Sequence, residues 1–219
     1  GVTWTEVTLG KRALHLERGL PALPTLRESL VIPDDGVMGL RVLGVEYTEL
    51  TGIDVAPSKG NILRTVDPEL VDYTFNDFYR EDAWYPKEAA RLETPYILRD
   101  TRGLVLELNP FQYNPATHTL RVATRLTVEV SLAGPGGENV LSYRPAARVA
   151  EFEQVYARHY LNYTALNDRY TSIGEVGSML VISYDAFASA AQPFVAWKNQ
   201  LGIPTTLVNV SAIGSTGTQ

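Results

Sequence analysis

The chain has 219 residues, 45% of them hydrophobic and 20% charged, with twelve tyrosines, which describes a folded protein with a sizeable core and not a disordered tail. A formal charge of -6 and the lack of any lysine- or arginine-rich run leave no broad positive field, and this sets aside nucleic-acid and anionic-membrane binding. No apolar run approaches the roughly 20 residues that span a bilayer, and with no cysteine the chain has no disulfide, thiolate metal site or cysteine nucleophile.

Gly1-Val2-Thr3-Trp4 reads as neither a signal peptide nor a natural start, so a trimmed N-terminus is expected. From residue 1 to about 145, short apolar runs alternate with turn signals, the texture of an antiparallel β-sandwich. Ser29 to Ile32, ended by Pro33, and Leu40 to Tyr47 supply early strands. Between Asp54 and Pro95 the pattern loosens, through Ala56-Pro57-Ser58-Lys59-Gly60 and Tyr79 to Pro86. A long, weakly periodic stretch inside a compact domain tends to carry function. Tyr96 to Arg99 and Leu104 to Leu108 flank Asp100-Thr101-Arg102-Gly103 and predict a hairpin, with Gly103 supplying the positive φ of the turn. Leu120, Val122, Thr124, Leu126, Val128, Val130 and Leu132 repeat with a period of two, a long half-buried strand. It is bounded by Asn114-Pro115-Ala116-Thr117 and by Gly134-Pro135-Gly136-Gly137.

Residues 146 to 169 read as a helical exit segment, with Val149, Phe152, Val155, Tyr156 and Tyr160 on one stripe. After the linker-like 170 to 177 the texture changes. Met179 to Ser183 is a continuous apolar run, the mark of a strand covered on both faces in a parallel sheet. Asp185 is placed to cap a first turn, Pro193 suits the first position of a helix, and Gly202 is a natural stop. Thr205 to Val210 predicts a second strand, parallel to the first with a right-handed crossover. The expected fold is therefore mainly β: a sandwich over 1–145, a helical exit over 146–169, and over 170–219 the first βαβ unit of a truncated α/β domain. One such unit cannot bury its own sheet, so Phe194, Trp197 and Leu201 are expected to be poorly covered.

Several of these segments carry a resemblance. Ala56 to Arg64, Pro95 to Gly103, Gln112 to Arg121 and Leu161-Asn162-Tyr163 resemble the N-terminal propeptide of gingipain-type cysteine peptidases (peptidase family C25). Met179 to Ile182 and Phe194 to Gly202 resemble the first strand and helix of the catalytic domain in that family, nearest in character to its arginine-specific branch. The resemblance implies a secreted or cell-surface bacterial precursor. Its propeptide assists folding, holds the catalytic domain latent by placing a basic side chain in the specificity pocket, and is removed by cleavage after basic residues. It implies Arg64 as the inhibitory residue, with Leu63 and Thr65 beside it in the cleft. It also implies Arg169-Tyr170 as the activation boundary and the cognate peptidase catalytic domain as partner. The family's catalytic His and Cys have no counterpart here, and His15, His118 and His159 are not substitutes, so no catalytic residue is expected in this chain.

Arg64 has a physical case of its own: a guanidinium is permanently charged and pairs bidentately with carboxylate, so a pocket that selects arginine in substrates binds one offered by an inhibitor. The bland alternative is a solvated loop arginine. Resistance to cleavage further requires that both sides of the loop be held by packing elsewhere. Tyr73, Phe75, Phe78, Tyr79, Trp84 and Tyr85 either meet the partner or fill the sandwich edge. A sugar platform built from these rings, in a carbohydrate-binding or adhesive module, is the competing reading. Asp34, Asp35, Asp72, Asp77, Glu81 and Asp82 lack the regular spacing of a calcium loop. With no zinc motif, phosphate loop or GlyXSerXGly present, no metal or cofactor is expected.

Overall fold

The computed structural model describes residues 3–143, 148–163, 172–173 and 177–214. They fall into two units: Gly1–Ala146 with Val155–Arg169, and Ala147–Gln154 with Tyr170–Gln219.

Two antiparallel sheets build the first unit. In one, β1 (Leu26–Val31) lies along one edge of β5 (Thr101–Leu108), while β3 (Ala90–Leu92) and β4 (Tyr96–Leu98) follow one another along the other edge. In the second, β2 (Val37–Thr51) pairs with β7 (Thr119–Gly134), which pairs with β6 (Phe111–Asn114). Val7, Leu23, Val55, Phe111, Tyr113 and Leu120 form the buried cluster. The period-two run becomes β7, and its turn with β6 is closed by the Asn114 side chain, whose Oδ1 accepts from Ala116 N–H at 3.0 Å. The strand predicted over Leu40 to Tyr47 extends to Val37–Thr51 and carries three register shifts. Beyond the short β6 the β2–β7 pair runs on as a ribbon, so Leu132 is exposed although its strand pattern predicts half-burial, and Val42 of β2 is exposed with it.

Strand β5 is the buried centre of its sheet, yet it carries Arg102 and Glu107. Burying a charge requires that its hydrogen bonds be replaced. Arg102 donates to the carbonyls of Pro33 and Gly36, both at 2.9 Å, and of Glu138 at 2.7 Å, which ties two turns to the sheet. Glu107 accepts from Arg91 of β3 at 2.7 and 3.0 Å and from Arg27 of β1 at 3.1 Å, which ties both of those strands to β5.

The β4–β5 hairpin is tighter than predicted. Its loop is Arg99-Asp100, the positive φ (57°) belongs to Arg99, and Gly103 is a strand residue paired with Tyr96. Gly103 is there for space: a Cβ at this position would lie 2.6 Å from Tyr160 Cε1 and 3.1 Å from the Leu30 carbonyl. Tyr160 follows the helix α1 (Ala150–His159). The later part of α1 and the residues after it belong to the first unit, and there Tyr156, Tyr160 and Tyr163 are buried while Val155, assigned to the same stripe, is exposed. Val149 lies outside the residues whose side chains are described. Leu161 N–H donates to Ser29 O at 2.9 Å, and the Asn162 amide reads Val31 on both sides, accepting from its N–H at 2.8 Å and donating to its C=O at 2.9 Å. The exit segment thus caps the free edge of β1 in place of another strand.

In the second unit β8 (Arg148–Val149) pairs in parallel with β9 (Ser172–Ile173). β10 (Met179–Ser183), helix α2 (Ala188–Gln200) and β11 (Thr205–Asn209) form the expected parallel unit, with Leu180 opposite Thr206, and α3 (Val210–Ile213) follows. Three details differ from expectation. The helix begins at Ala188 and holds Pro193 inside, because Ala188-Ser189-Ala190-Ala191 is itself a good helical start. The Asp185 carboxylate does not cap that helix but accepts from the N–H and hydroxyl of Ser211. Strand β10 is covered on one face only, leaving Leu180 and Ile182 exposed, since one helix shields one face. Gly202 (φ 79°) closes α2, with its N–H on Asn199 O and that of Ile203 on Lys198 O. Val195 is the buried residue of α2, whereas Phe194, Trp197 and Leu201 are 43%, 51% and 56% exposed, as expected for an under-covered helix.

Gly103→Ala must push Tyr160 off β5 or bend the strand, and an overpacked core site of this kind costs about 1–3 kcal/mol. Urea denaturation should show this loss, and an unchanged midpoint would contradict the close approach.

Candidate functional site

Within the first unit, residues 56 to 85 form no strand, and their order comes from the ends. Val55 to Ser58 are buried. Ala56 N–H donates to Thr5 O at 3.0 Å, Ala22 N–H to Ala56 O at 2.9 Å and Ser58 N–H to Leu20 O at 2.7 Å. At the other end Tyr85 and Tyr113 exchange backbone hydrogen bonds of 2.9 and 2.8 Å, and the Tyr79 hydroxyl donates to Val55 O at 2.9 Å. The Asn76 side chain caps a 3-10 turn at Asp77–Arg80 by accepting from Phe78 N–H at 2.9 Å. The stems meet at Gly19, whose N–H donates to Ser58 O at 2.9 Å and whose C=O accepts from Asn76 N–H at 3.0 Å.

Above these stems the crown, 59 to 75, is exposed throughout 63 to 70 and half-buried at Lys59, Gly60, Ile62, Val71 and Tyr73. Val66 N–H donates to Leu63 O at 2.9 Å, closing a turn with Arg64 and Thr65 at its two central positions. Arg64 and Thr65 are exposed and Leu63 is 74% exposed. Among the described residues Arg64 has no hydrogen bond or ion pair. After the turn, Asp67 caps the 3-10 turn Pro68–Leu70 by accepting from Glu69 N–H at 3.0 Å. Lys59 crosses the base of the crown: its Nζ donates to Pro68 O at 2.7 Å and lies 4.5 Å from the centre of the Tyr73 ring. A cavity of about 330 Å³ bordered by Leu14, Leu16, Ile62 and Tyr73 lies beside this base, so the crown rests on stems and the Lys59 bridge and not on a filled core.

The aromatic set is used within the fold. Phe75 packs on Trp4 (5.0 Å) and Tyr79 (5.1 Å), Tyr79 on Tyr113 (6.3 Å), and Phe78 on Tyr85 (5.6 Å). The Arg121 guanidinium lies 4.0 Å from the centre of the Trp84 ring and 4.4 Å from that of Tyr47, and its Nε donates to Gln112 Oε1 at 3.0 Å. Trp4, Phe75 and Tyr79 meet at 42°, 87° and 84°, presenting edges in place of one flat face. The histidines have local partners: His15 with Asn109 (2.9 Å), His118 with Asp54 (2.6 Å) and His159 with the Tyr96 hydroxyl (2.7 Å).

The structure therefore brings Leu63, Arg64 and Thr65 together at the tip of one restrained loop, while Arg169 and Tyr170 lie outside the described residues. Sequence reasoning missed Gly19, Ser58 and Asn76, which hold the loop. Glycine before Leu20-Pro21 is a turn signal, but no local pattern reports partners so far along the chain.

Burial pushes the phenols at the second stem upward. Tyr85 is raised to about 12, with Glu17 and Glu107 adding to the effect of burial. Tyr79 rises further, through burial and then Tyr113 and Tyr85, and Tyr113 is raised by burial and then Asp54.

Residues 8–165 match the family model Propeptide_C25. Gingipain R1 of Porphyromonas gingivalis is 38% identical over 201 residues, an overlap of 91% of this chain and 20% of the relative. Gingipain R2 of the same organism is 37% identical over 201 residues, 91% of this chain and 27% of the relative. The chain thus spans only about a fifth to a quarter of the length of these curated relatives. A solved structure, "Complex of Porphyromonas gingivalis RgpB pro- and mature domains", superposes with a TM-score of 0.65 at 37% identity, covering 70% of this chain and 76% of that one.

The raised phenols link stability to alkaline pH. In the unfolded chain tyrosine ionises near pH 10, while the folded protein keeps Tyr79, Tyr85 and Tyr113 protonated, so their contribution is complete below about pH 10 and is lost as pH rises beyond it. Tyr79→Phe should flatten the fall of the urea midpoint above pH 10, and an unchanged slope would contradict the burial of that phenol.

Proposed function

The chain belongs to the Propeptide_C25 family, that of gingipain propeptides, and on that footing we propose that its first unit is the inhibitory and folding-assisting propeptide of a secreted, gingipain-like cysteine endopeptidase. In this reading residues 1–145 are the propeptide sandwich, 146–169 its exit segment, and 170–219 the first βαβ unit of the catalytic domain. The partner is that catalytic domain, and the precursor works outside the cell or on its surface. Arg64 enters the specificity pocket with Leu63 and Thr65 alongside, and cleavage between Arg169 and Tyr170 releases the enzyme. No helix among the described residues is long and apolar enough to cross a membrane.

The observation that carries this reading is Arg64 itself. It stands at the tip of a closed turn, exposed, with no partner among the described residues, on a loop anchored at both ends. An arginine already paired within its own fold would have to break that pair before entering a pocket, and an unrestrained loop would lose entropy on binding. Arg64 meets neither penalty, and its fixed charge and planar fork match a carboxylate at a pocket base. Leu63 and Val66, 74% and 40% exposed, add apolar area that is removed from water on contact. A sugar-binding module would need a flat aromatic face, and the mutual angles of Trp4, Phe75 and Tyr79 do not favour one.

Arg64→Ala should weaken inhibition of a mature arginine-specific gingipain peptidase by about 2 kcal/mol or more, roughly 30-fold in Kd. Equal potency of the two proteins would remove Arg64 from the role. Incubating the precursor with active enzyme should yield a new N-terminus at Tyr170 by mass spectrometry, and an N-terminus elsewhere with Arg169-Tyr170 uncut would displace the proposed boundary.

A further inference from the structure

We propose that Gly19 is the positioning residue of the Arg64 loop, a backbone clasp that makes the loop behave as an inhibitor and not as a substrate. This rests on the reading of Arg64 given above. A peptidase that accepts Arg64 in its pocket is also positioned to hydrolyse the Arg64–Thr65 bond, consuming one water and leaving a carboxylate on Arg64 and an ammonium on Thr65. Two properties oppose that outcome: a loop too constrained to follow the bond through its change of geometry, and ends held so close that the cut halves stay in the cleft.

Gly19 supplies both through its single peptide position. Its N–H holds the incoming stem at Ser58 O and its C=O holds the outgoing stem at Asn76 N–H, so the crown 59 to 75 is closed by one residue from a different part of the chain. The position demands glycine twice over. Its φ is 85°, and a Cβ would stand 3.1 Å from Asn76 N and 3.4 Å from Thr74 O, against backbone that cannot swing aside as a side-chain tip can. The neighbours reinforce it. Arg18 Nε donates to Thr74 Oγ1 at 3.2 Å, Arg18 Cβ would be 3.1 Å from a Cβ at Gly60, and Leu20 binds Ser58 from the other side through its carbonyl. The turn at Glu17 to Leu20, closed by Leu20 N–H on Glu17 O at 3.2 Å, is thereby wedged between the two stems. Gly19, Ser58 and Asn76 lie outside the crown, and Gly60 and Thr74 stand at its two ends, away from Arg64 at the tip, so their effect on the peptidase is through loop position.

The test uses the whole 219-residue chain and its variants Gly19→Val, Thr74→Val, Arg64→Ala and Gly52→Ala. Gly52 has a φ of 72° and open space around its Cβ position, so it controls for backbone strain away from the clasp. Each protein is assayed for inhibition of a mature arginine-specific gingipain peptidase and, separately, for the rate at which trypsin creates an N-terminus at Thr65. Gly19→Val is expected to inhibit at least ~10-fold less well and to be cut after Arg64 at least ~10-fold faster, with amide exchange in β5 unchanged and Gly52→Ala like the parent. Thr74→Val, which removes only the hydroxyl that Arg18 reaches, should move both readouts the same way by ~2–3-fold. It decides the matter if Gly19→Val fails to fold. Parental inhibition and parental cleavage by the clasp variants, with Arg64→Ala impaired, would overturn the clasp and leave the Arg64 reading standing. Parental inhibition by Arg64→Ala would overturn that reading and the role of the clasp with it.

Discussion

Seventeen residues, 59 to 75, have no ladder of their own and rest beside an open cavity, so their position is set chiefly where they begin and end. The two hydrogen bonds of Gly19, the buried stem at Val55–Ser58 and the half-buried Tyr79 and Tyr85 of the second stem impose that boundary condition. Closing a loop of this length has an entropic cost that grows slowly with length. In this fold the closure is made by the same residues that fill the core, since Val55 and Tyr113 belong to the buried cluster and Tyr79 and Tyr85 pack against it. A side chain at the tip of the crown is therefore presented by the stability of the sandwich together with the Lys59 bridge at the crown's base.

The sandwich is organised about β5. Its two buried charges act as fasteners: Arg102 gathers two turns through their carbonyls, and Glu107 joins β1, β5 and β3 through Arg27 and Arg91. Gly103 opens the space into which Tyr160 packs, and Asn162 then seals the edge of β1. The residues that follow α1 thus complete the sheet in the first unit.

What was legible in the sequence was what depends on local pattern. The alternation of Leu120 to Leu132 defines β7, Asn114 and Gly134 mark its ends, and Gly202 stops α2. Errors arose where two explanations share one residue type. Gly103 reads as a turn glycine but provides clearance for Tyr160, and Pro193 reads as a helix start although the helix already begins at Ala188. At the candidate site the exposure of the loop followed from its poor periodicity, and Arg64 was singled out through resemblance to a family. The clasp at Gly19 was illegible, because a backbone hydrogen bond to a distant residue leaves no trace in the identity of either partner. The aromatic set had two readings, and packing places most of it in the sandwich edge.

The central claim is that Arg64, held by this frame, occupies the specificity pocket of the catalytic domain. A crystal structure of the first unit bound to a mature arginine-specific gingipain peptidase tests it most directly. The account predicts the Arg64 guanidinium paired bidentately with a carboxylate at the pocket base, with Gly19 still bonded to Ser58 and Asn76. A pocket left empty, or filled by another basic residue while Arg64 lies in solvent, would contradict it.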